Sequence, residues 1–217
     1  MIRARATILF DFDGVLIRGD SFASFVRTRL TKSIPRLAFA APALGFLLVR
    51  STRRIGARHC VRVALLGLDA RRYEEAIDLF AMQLHERNGH VIAQGVVRAQ
   101  QHLAAGDRVV VVTGCEAGLA RRLLDRMGLR DVELIASRLR EGRIGMHTKL
   151  HNFGAEKCRQ LQLAGIVPRW QRAYSDSAAD LPMLELAEQP VLINANEALR
   201  TQVTRALGRE IENETWA

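Results

Sequence analysis

Two aspartates, Asp11 and Asp13, cut into the apolar run ILFDFDGVL from Ile8 to Leu16. Carboxylates two positions apart on an extended segment project to one side of the chain, so both can reach one site, and Gly14 lets the chain turn away from it. One can then attack as a nucleophile while the other transfers a proton. Aspartate before glycine is also ordinary turn chemistry, so the pair alone leaves both readings open. Three further stations follow in order. VVVVTG puts Thr113 and Gly114 after a strand-like run, where a hydroxyl and backbone N–H groups can hold a phosphate oxygen. FGAEKCRQL puts Lys157 in the first turn of a predicted helix, a fixed positive charge at an anion-friendly end. AYSDSAADLPML puts Asp176 after a strand and Asp180 four residues on, a spacing that brings acidic oxygens to a hard cation. Taken singly, each has a structural reading: a cap, a solvated helix residue, a turn. All four in this order, each at a strand end or helix start, favour chemistry.

The elements that must position these groups alternate. Strands are predicted at Thr7 to Phe10, Val109 to Val112, Leu134 to Ala136, Ala173 to Tyr174 and Val191 to Ile193. Helices are predicted at Ala117 to Met127, Gly154 to Leu163, Leu181 to Leu186 and Glu197 to Leu207. Strands alternating with helices specify an α/β fold with a parallel sheet, in which ligands gather at the carboxyl ends of the strands. Residues 17–95 show helical stretches and no clear strand, and read as a helical domain inserted after the first strand. The remaining residues, 1–16 and 96–217, form the core domain. Ala136 to Thr148, with turn chemistry at Glu141 and Gly142, reads as a β-hairpin.

A chain of 217 residues, 48% hydrophobic and 25% charged, has ordinary globular composition. Its three cysteines, Cys60, Cys115 and Cys158, have no C-x-x-C spacing, which suggests neither a disulfide framework nor a zinc site. The acids in the first apolar run break the pattern of a signal peptide, so a cytoplasmic location is expected. The net charge of +9 is concentrated: between Arg27 and Arg72 eleven basic residues meet one acid, Asp69, leaving twenty-one of the 32 basic residues against twenty-two of the 23 acidic ones elsewhere. No Asp or Glu occurs from Ser21 to Leu68. Within that stretch LAFAAPALGFLLV, Leu37 to Val49, lies between Arg36 and Arg50. Thirteen residues make roughly 20 Å of helix, too short for a hydrocarbon core of ~30 Å. The segment reads either as a buried helix or as an interfacial element, kinked or broken by Pro35 and Pro42. Such a basic segment also suits nucleic acid, but it lacks a stacking-aromatic pattern and any nucleic-acid motif, and no nucleic-acid partner is expected.

DFDGVL, VVVVTG, Lys157 and SDSAAD resemble, in order and over nearly the whole chain, the four motifs of the haloacid dehalogenase superfamily of aspartate-nucleophile phosphatases. The helical insertion resembles the cap of the subgroup containing phosphoserine phosphatases. YSDSAADLPML, GDSFASF and the arginine-flanked apolar cap look most like bacterial phosphatidylglycerophosphatase C. The resemblance implies a Rossmann-like core and a magnesium-dependent phosphomonoester hydrolase. Asp11 would form an aspartyl-phosphate, and Asp13 would protonate the leaving oxygen and then activate water. Magnesium would be held by Asp11, Asp176 and the Asp13 carbonyl, with Asp180 supporting its shell; Thr113, Gly114 and Lys157 would bind phosphoryl oxygens. The expected substrate is phosphatidylglycerophosphate in phospholipid metabolism, with peripheral contact at the inner membrane; the alternative is a soluble metabolite such as phosphoserine. Val15 and Ser175 depart from the wider pattern, where threonine and glycine are frequent. Lys149 rivals Lys157 but adjoins the hairpin rather than a helix start. Asp20 lies near an acidic substrate-contacting position of phosphoserine phosphatases, yet suits an N-cap. Cys115 has no accompanying base and receives no role.

Overall fold

The computed structural model describes residues 5–48 and 51–216. Its centre is β1 (Thr7–Phe10), whose four residues are apolar or β-branched, as a strand covered on both faces requires. β1 pairs in parallel with β2 (Arg108–Glu116) on one side and β5 (Trp170–Ser175) on the other. Outward from β2 lie β3 (Glu133–Arg140) and antiparallel β4 (His147–Leu150); outward from β5 lie β6 (Ala187–Ile193) and β7 (Glu212–Glu214), both parallel. The order β4-β3-β2-β1-β5-β6-β7 means that the chain runs to one side of β1 and then crosses to the other. The crevice at the carboxyl end of β1 is therefore the switch point of the sheet, where connections diverge and leave space for a ligand.

Strand alternation divides the core in two. Ile8, Phe10, Val109 and Val111 pack towards α5 (Ala93–Ala104) and α6 (Ala117–Arg126). Leu9, Val110 and Val112 pack on the opposite face with α7 (Ala155–Leu163), α8 (Leu181–Glu185) and α9 (Glu197–Leu207). Between β1 and β2 the chain builds α1 (Ser21–Thr31), α2 (Ile34–Leu48), α3 (Arg53–Leu65) and α4 (Ala70–Glu86). Asp20 and Asp69 start α1 and α4 by accepting hydrogen bonds from the amides of Ala23 and Arg72. α1, α2 and α3 share a small apolar cluster of their own, whereas α4 packs on α6. There the Tyr73 hydroxyl donates to Glu116 Oε2 at 2.6 Å, and Arg126 bonds Asp78 at 3.0 Å. The outgoing and returning chains lie side by side, with Ile92 N donating to Leu16 O and Arg18 N to His90 O.

Three features differ from the sequence reading. α2 continues past Pro42 instead of breaking there, and Pro35 falls in its first turn, where an N–H has no intrahelical acceptor to lose. β2 runs on through Thr113 and Gly114 to Glu116, with a register shift against β3 between Val112 and Glu116. β7 was not foreseen; its sequence is Glu-Asn-Glu, and it is held at the edge by backbone pairing to β6 and by Arg98, whose guanidinium bonds both carboxylate oxygens of Glu214 at 3.2 and 2.9 Å. The predicted hairpin is present, β3 pairing with β4. Among the described residues no helix is long and apolar enough to cross a membrane. Val49 and Arg50, at the end of the expected apolar segment, lie outside the described residues.

Candidate active site

Asp11 follows the last residue of β1, its amide tied to the Tyr174 carbonyl of β5 at 2.9 Å. Its Oδ1 accepts from the Phe12 amide at 2.7 Å and from Lys157 Nζ at 2.9 Å. Lys157, in the first turn of α7 behind Gly154, whose φ is +60°, reaches the crevice almost fully buried. Its ammonium also pairs with Asp180 at 2.8 Å, and Asp180 accepts in turn from the Ser175 hydroxyl at 2.8 Å. The serine that departs from the wider pattern thus orients a buried carboxylate; Val15 is simply a fully buried core residue. Lys149 stands exposed on β4, and Lys157 is the lysine bonded to Asp11.

Asp13 sits at the mouth, half-buried, its Oδ1 accepting from the Ser21 amide at 2.9 Å. Burial, and next the Asp20 carboxylate, push its pKa up to about 7. Gly14 turns the chain at φ +80°, and a Cβ there would overlap the Asp176 carboxylate, which therefore lies directly against this main chain. Only glycine meets both demands. Thr113 is fully buried beyond Val112, one strand over from Asp11, and its hydroxyl accepts from the Cys115 amide at 2.9 Å. The Gly114 carbonyl accepts from the Ser137 hydroxyl at 2.7 Å.

Electrostatics set this crevice apart. Three carboxylates stand at this crevice with one ammonium: Asp11 and Asp180 pair with Lys157, and Asp176 lies against Gly14. Burial raises the pKa of Asp11 well above the ordinary carboxylate range, Lys157 opposing and Asp180 adding to it. Burial and then Asp180 raise Asp176 as well. For Lys157 burial works against the charge, but Asp11 and then Asp180 outweigh it and hold the ammonium above its usual pKa. The surplus negative charge and the hard oxygen donors suit a divalent cation such as magnesium. Among the described residues no three His, Cys, Asp or Glu side chains form a complete ligand set, so a cation here would need the Asp11 and Asp176 carboxylates together with main-chain oxygen.

Sequence reasoning missed the residues that hold the Thr113–Gly114 segment. Asn152, fully buried, donates through Nδ2 to the carbonyls of Thr113 at 3.1 Å and Ile135 at 2.9 Å, while its amide donates to Ser137 Oγ at 2.9 Å. Its position just before the FGAEK stretch was the available signal. Asp20 serves as the α1 cap while contributing charge at the mouth. Cys115 accepts from the Ser21 hydroxyl at 3.2 Å, and burial, then Asp13, keeps it a thiol well above the usual range, consistent with its having no nucleophilic role. His151 and Phe153 stack at 5.6 Å between ring centroids on the same connection as Asn152. Burial and then Arg58 and Arg54 lower the His151 pKa against the pull of Asp20, so these arginines of α3 act on the connection that carries Asn152.

The family model described as haloacid dehalogenase-like hydrolase matches residues 8–185. The chain belongs to this family. The chain is an enzyme of the phosphatase type. A hydrolase of Mycobacterium leprae (strain TN) is 29% identical over 219 residues, covering 96% of this chain and 72% of the relative. The phosphoserine phosphatase SerB1 of Mycobacterium tuberculosis (strain ATCC 25618 / H37Rv) is 28% identical over 221 residues, covering 96% and 70%. Among solved structures, a phosphoserine phosphohydrolase-like protein from Francisella tularensis subsp. tularensis SCHU S4 shares the fold with a TM-score of 0.63 at 16% identity, covering 96% of this chain and 94% of that one. Two of these three, the SerB1 protein and the Francisella protein, carry phosphoserine phosphatase or phosphohydrolase names.

Proposed function

We propose that the protein is a magnesium-dependent phosphomonoester hydrolase working through an aspartyl-phosphate. The observation that carries this reading is the buried Lys157 ammonium bonded to Asp11 at 2.9 Å at the switch point of the sheet. There a carboxylate nucleophile and a phosphoryl-binding cation stand side by side. An oxygen of Asp11 attacks phosphorus as the bond to the leaving oxygen breaks, and Asp13 gives that oxygen its proton. Asp13 then takes a proton from water as the water oxygen attacks the phosphorus of the acyl phosphate, releasing phosphate and restoring the Asp11 carboxylate. The Thr113 hydroxyl, the Gly114 amide and Lys157 take the phosphoryl oxygens, where neutralising equatorial charge is the main catalytic demand. Asp11, Asp176 and the Asp13 carbonyl would hold magnesium, with Asp180 behind them; when bound, it lowers the repulsion between phosphate and carboxylate. On this reading residues 17–95 form a cap over a core of residues 1–16 and 96–217.

For the substrate, the phosphoserine phosphatases among the relatives support a soluble metabolite such as phosphoserine. Arg54 and Arg58, within electrostatic reach of His151 and in a stretch without acids, support a substrate whose leaving group is anionic, which among lipids fits phosphatidylglycerophosphate. Phosphate release from both compounds, with magnesium and with excess chelator, tests the proposal. Hydrolysis of one that stops in chelator and in Asp11→Asn supports it, and undiminished hydrolysis in Asp11→Asn refutes it.

A further inference from the structure

α2 is built the wrong way round for a helix of a water-soluble domain. The face it turns towards α3 is largely small: Ala40 and Ala43 are each 2% exposed and pack with Cys60, Val63 and Ala64, with Leu47 partly buried beside them. The approach is close, since a Cβ on Gly56 of α3 would stand 2.9 Å from the Ala43 carbonyl oxygen. Large apolar side chains point outward instead. Ile34 is 84% exposed, Phe39 69%, Phe46 48% and Leu37 45%, and Ile55 at the start of α3 adds another at 59%. Five of the twelve large hydrophobic residues exposed among the described residues thus fall within one short stretch of chain. From Leu37 to Leu48 no charged side chain interrupts the surface, where a solvated helix face ordinarily carries several.

The charge around this face identifies what covers it. Arg53, Arg54, Arg58 and Arg62 are exposed on the neighbouring helix, and among the described residues none has a carboxylate partner. No Asp or Glu occurs between Ser21 and Leu68 to supply one. A second copy docking by the same face would set these arginines against their own like and offer them no acid. An anionic bilayer supplies both requirements, hydrocarbon for the rings and phosphate for the guanidinium groups. The helix is too short to cross, at 15 residues and roughly 22 Å, but suits lying flat in the headgroup region.

We infer that the α2–α3 face, with Ile34, Leu37, Phe39, Phe46 and Ile55 inserted and the α3 arginines beside them, docks the protein peripherally on an anionic membrane surface. The inference does not depend on which phosphomonoester is hydrolysed. The test is sedimentation of the full chain with vesicles of phosphatidylcholine containing phosphatidylglycerol, compared with phosphatidylcholine alone. Expected is binding to the anionic vesicles that weakens at least about tenfold in about 1 M salt, where the screening length falls to ~3 Å. Phe39→Ser/Phe46→Ser should weaken it by at least about tenfold in low salt, because two large apolar surfaces no longer leave water. Both positions are exposed, so that variant should keep its far-ultraviolet dichroism and its rate on soluble 4-nitrophenyl phosphate. The wild-type rate on that ester reports separately on the phosphatase reading. Wild type remaining in the supernatant with anionic vesicles at low salt overturns the inference, as does a double variant that binds like wild type. Self-association without vesicles that the double variant abolishes assigns the face to a second copy and overturns it equally.

Discussion

Replacing Lys157 with methionine keeps most of the buried stem and removes only the charge. In the folded protein that charge stands 2.9 Å from Asp11 and 2.8 Å from Asp180, with all three side chains largely or fully buried. Breaking a buried pair by removing one partner costs about 3–5 kcal/mol, because the remaining charges stay desolvated and unpaired. At about 2–4 °C per kcal/mol for a chain of this size, the melting temperature should fall by roughly 6–20 °C in metal-free buffer. Proton uptake by Asp11, whose pKa burial already holds high, limits the cost and places the result towards the lower end. The diagnostic comparison is Lys157→Met/Asp180→Asn. Taking away the second carboxylate as well removes one of the stranded charges, so the double variant should recover at least about 1 kcal/mol relative to the single one. Urea unfolding at neutral pH measures both. A loss below about 1 kcal/mol for Lys157→Met, or a double variant no more stable than the single, refutes the assignment of Lys157 as the compensating charge for Asp11 and Asp180.

Gly14→Ala should lose activity far out of proportion to stability. The left-handed backbone costs about 1–2 kcal/mol, but the added Cβ displaces the Asp176 carboxylate, so the magnesium concentration needed for half activity should rise about tenfold or more. Asn152→Ala leaves the carbonyls of Thr113 and Ile135 without their donor and should cost about 2–4 kcal/mol in urea unfolding, with a raised KM for phosphate esters; an unchanged KM counts against its positioning role. Arg58→Gln should raise the His151 pKa towards its ordinary value, because a positive charge that opposes the imidazolium is gone; an unchanged value in an NMR titration excludes the coupling between Arg58 and His151.

How much of this was legible in the sequence depended on whether a signal was local. β1 could be bounded to the residue because apolar strand and acidic crevice meet at one position, Asp11. The helix at Glu197 to Leu207 was equally readable, closed at one end by Asn196, which accepts from the Leu199 amide, and at the other by the left-handed Gly208. β7 was not, since an edge strand of Glu-Asn-Glu has no apolar pattern and exists through partners on β6 and Arg98. Asn152 and Ser137 escaped notice for the same reason: their acceptors are carbonyls brought close only by the fold, 39 residues away for Asn152 to Thr113 and 23 for Ser137 to Gly114. The composition of α2 was visible, but not which side would face α3. That depended on Gly56 lying opposite Ala43, where a side chain on α3 would meet the Ala43 carbonyl and the Leu47 side chain.

The central claim is that Asp11 becomes covalently phosphorylated, and rapid quenching tests it most directly. Wild-type protein mixed with a phosphomonoester and magnesium, stopped in acid within one turnover and digested, should carry a phosphoryl group on the peptide containing Asp11. The label should disappear on a chase with unlabelled substrate and be absent in Asp11→Asn. Asp13→Asn, which lacks the base for the second step, should retain the label longer than wild type. Turnover with no phosphoryl group on that peptide, or with the label on another residue and persisting in Asp11→Asn, contradicts the account.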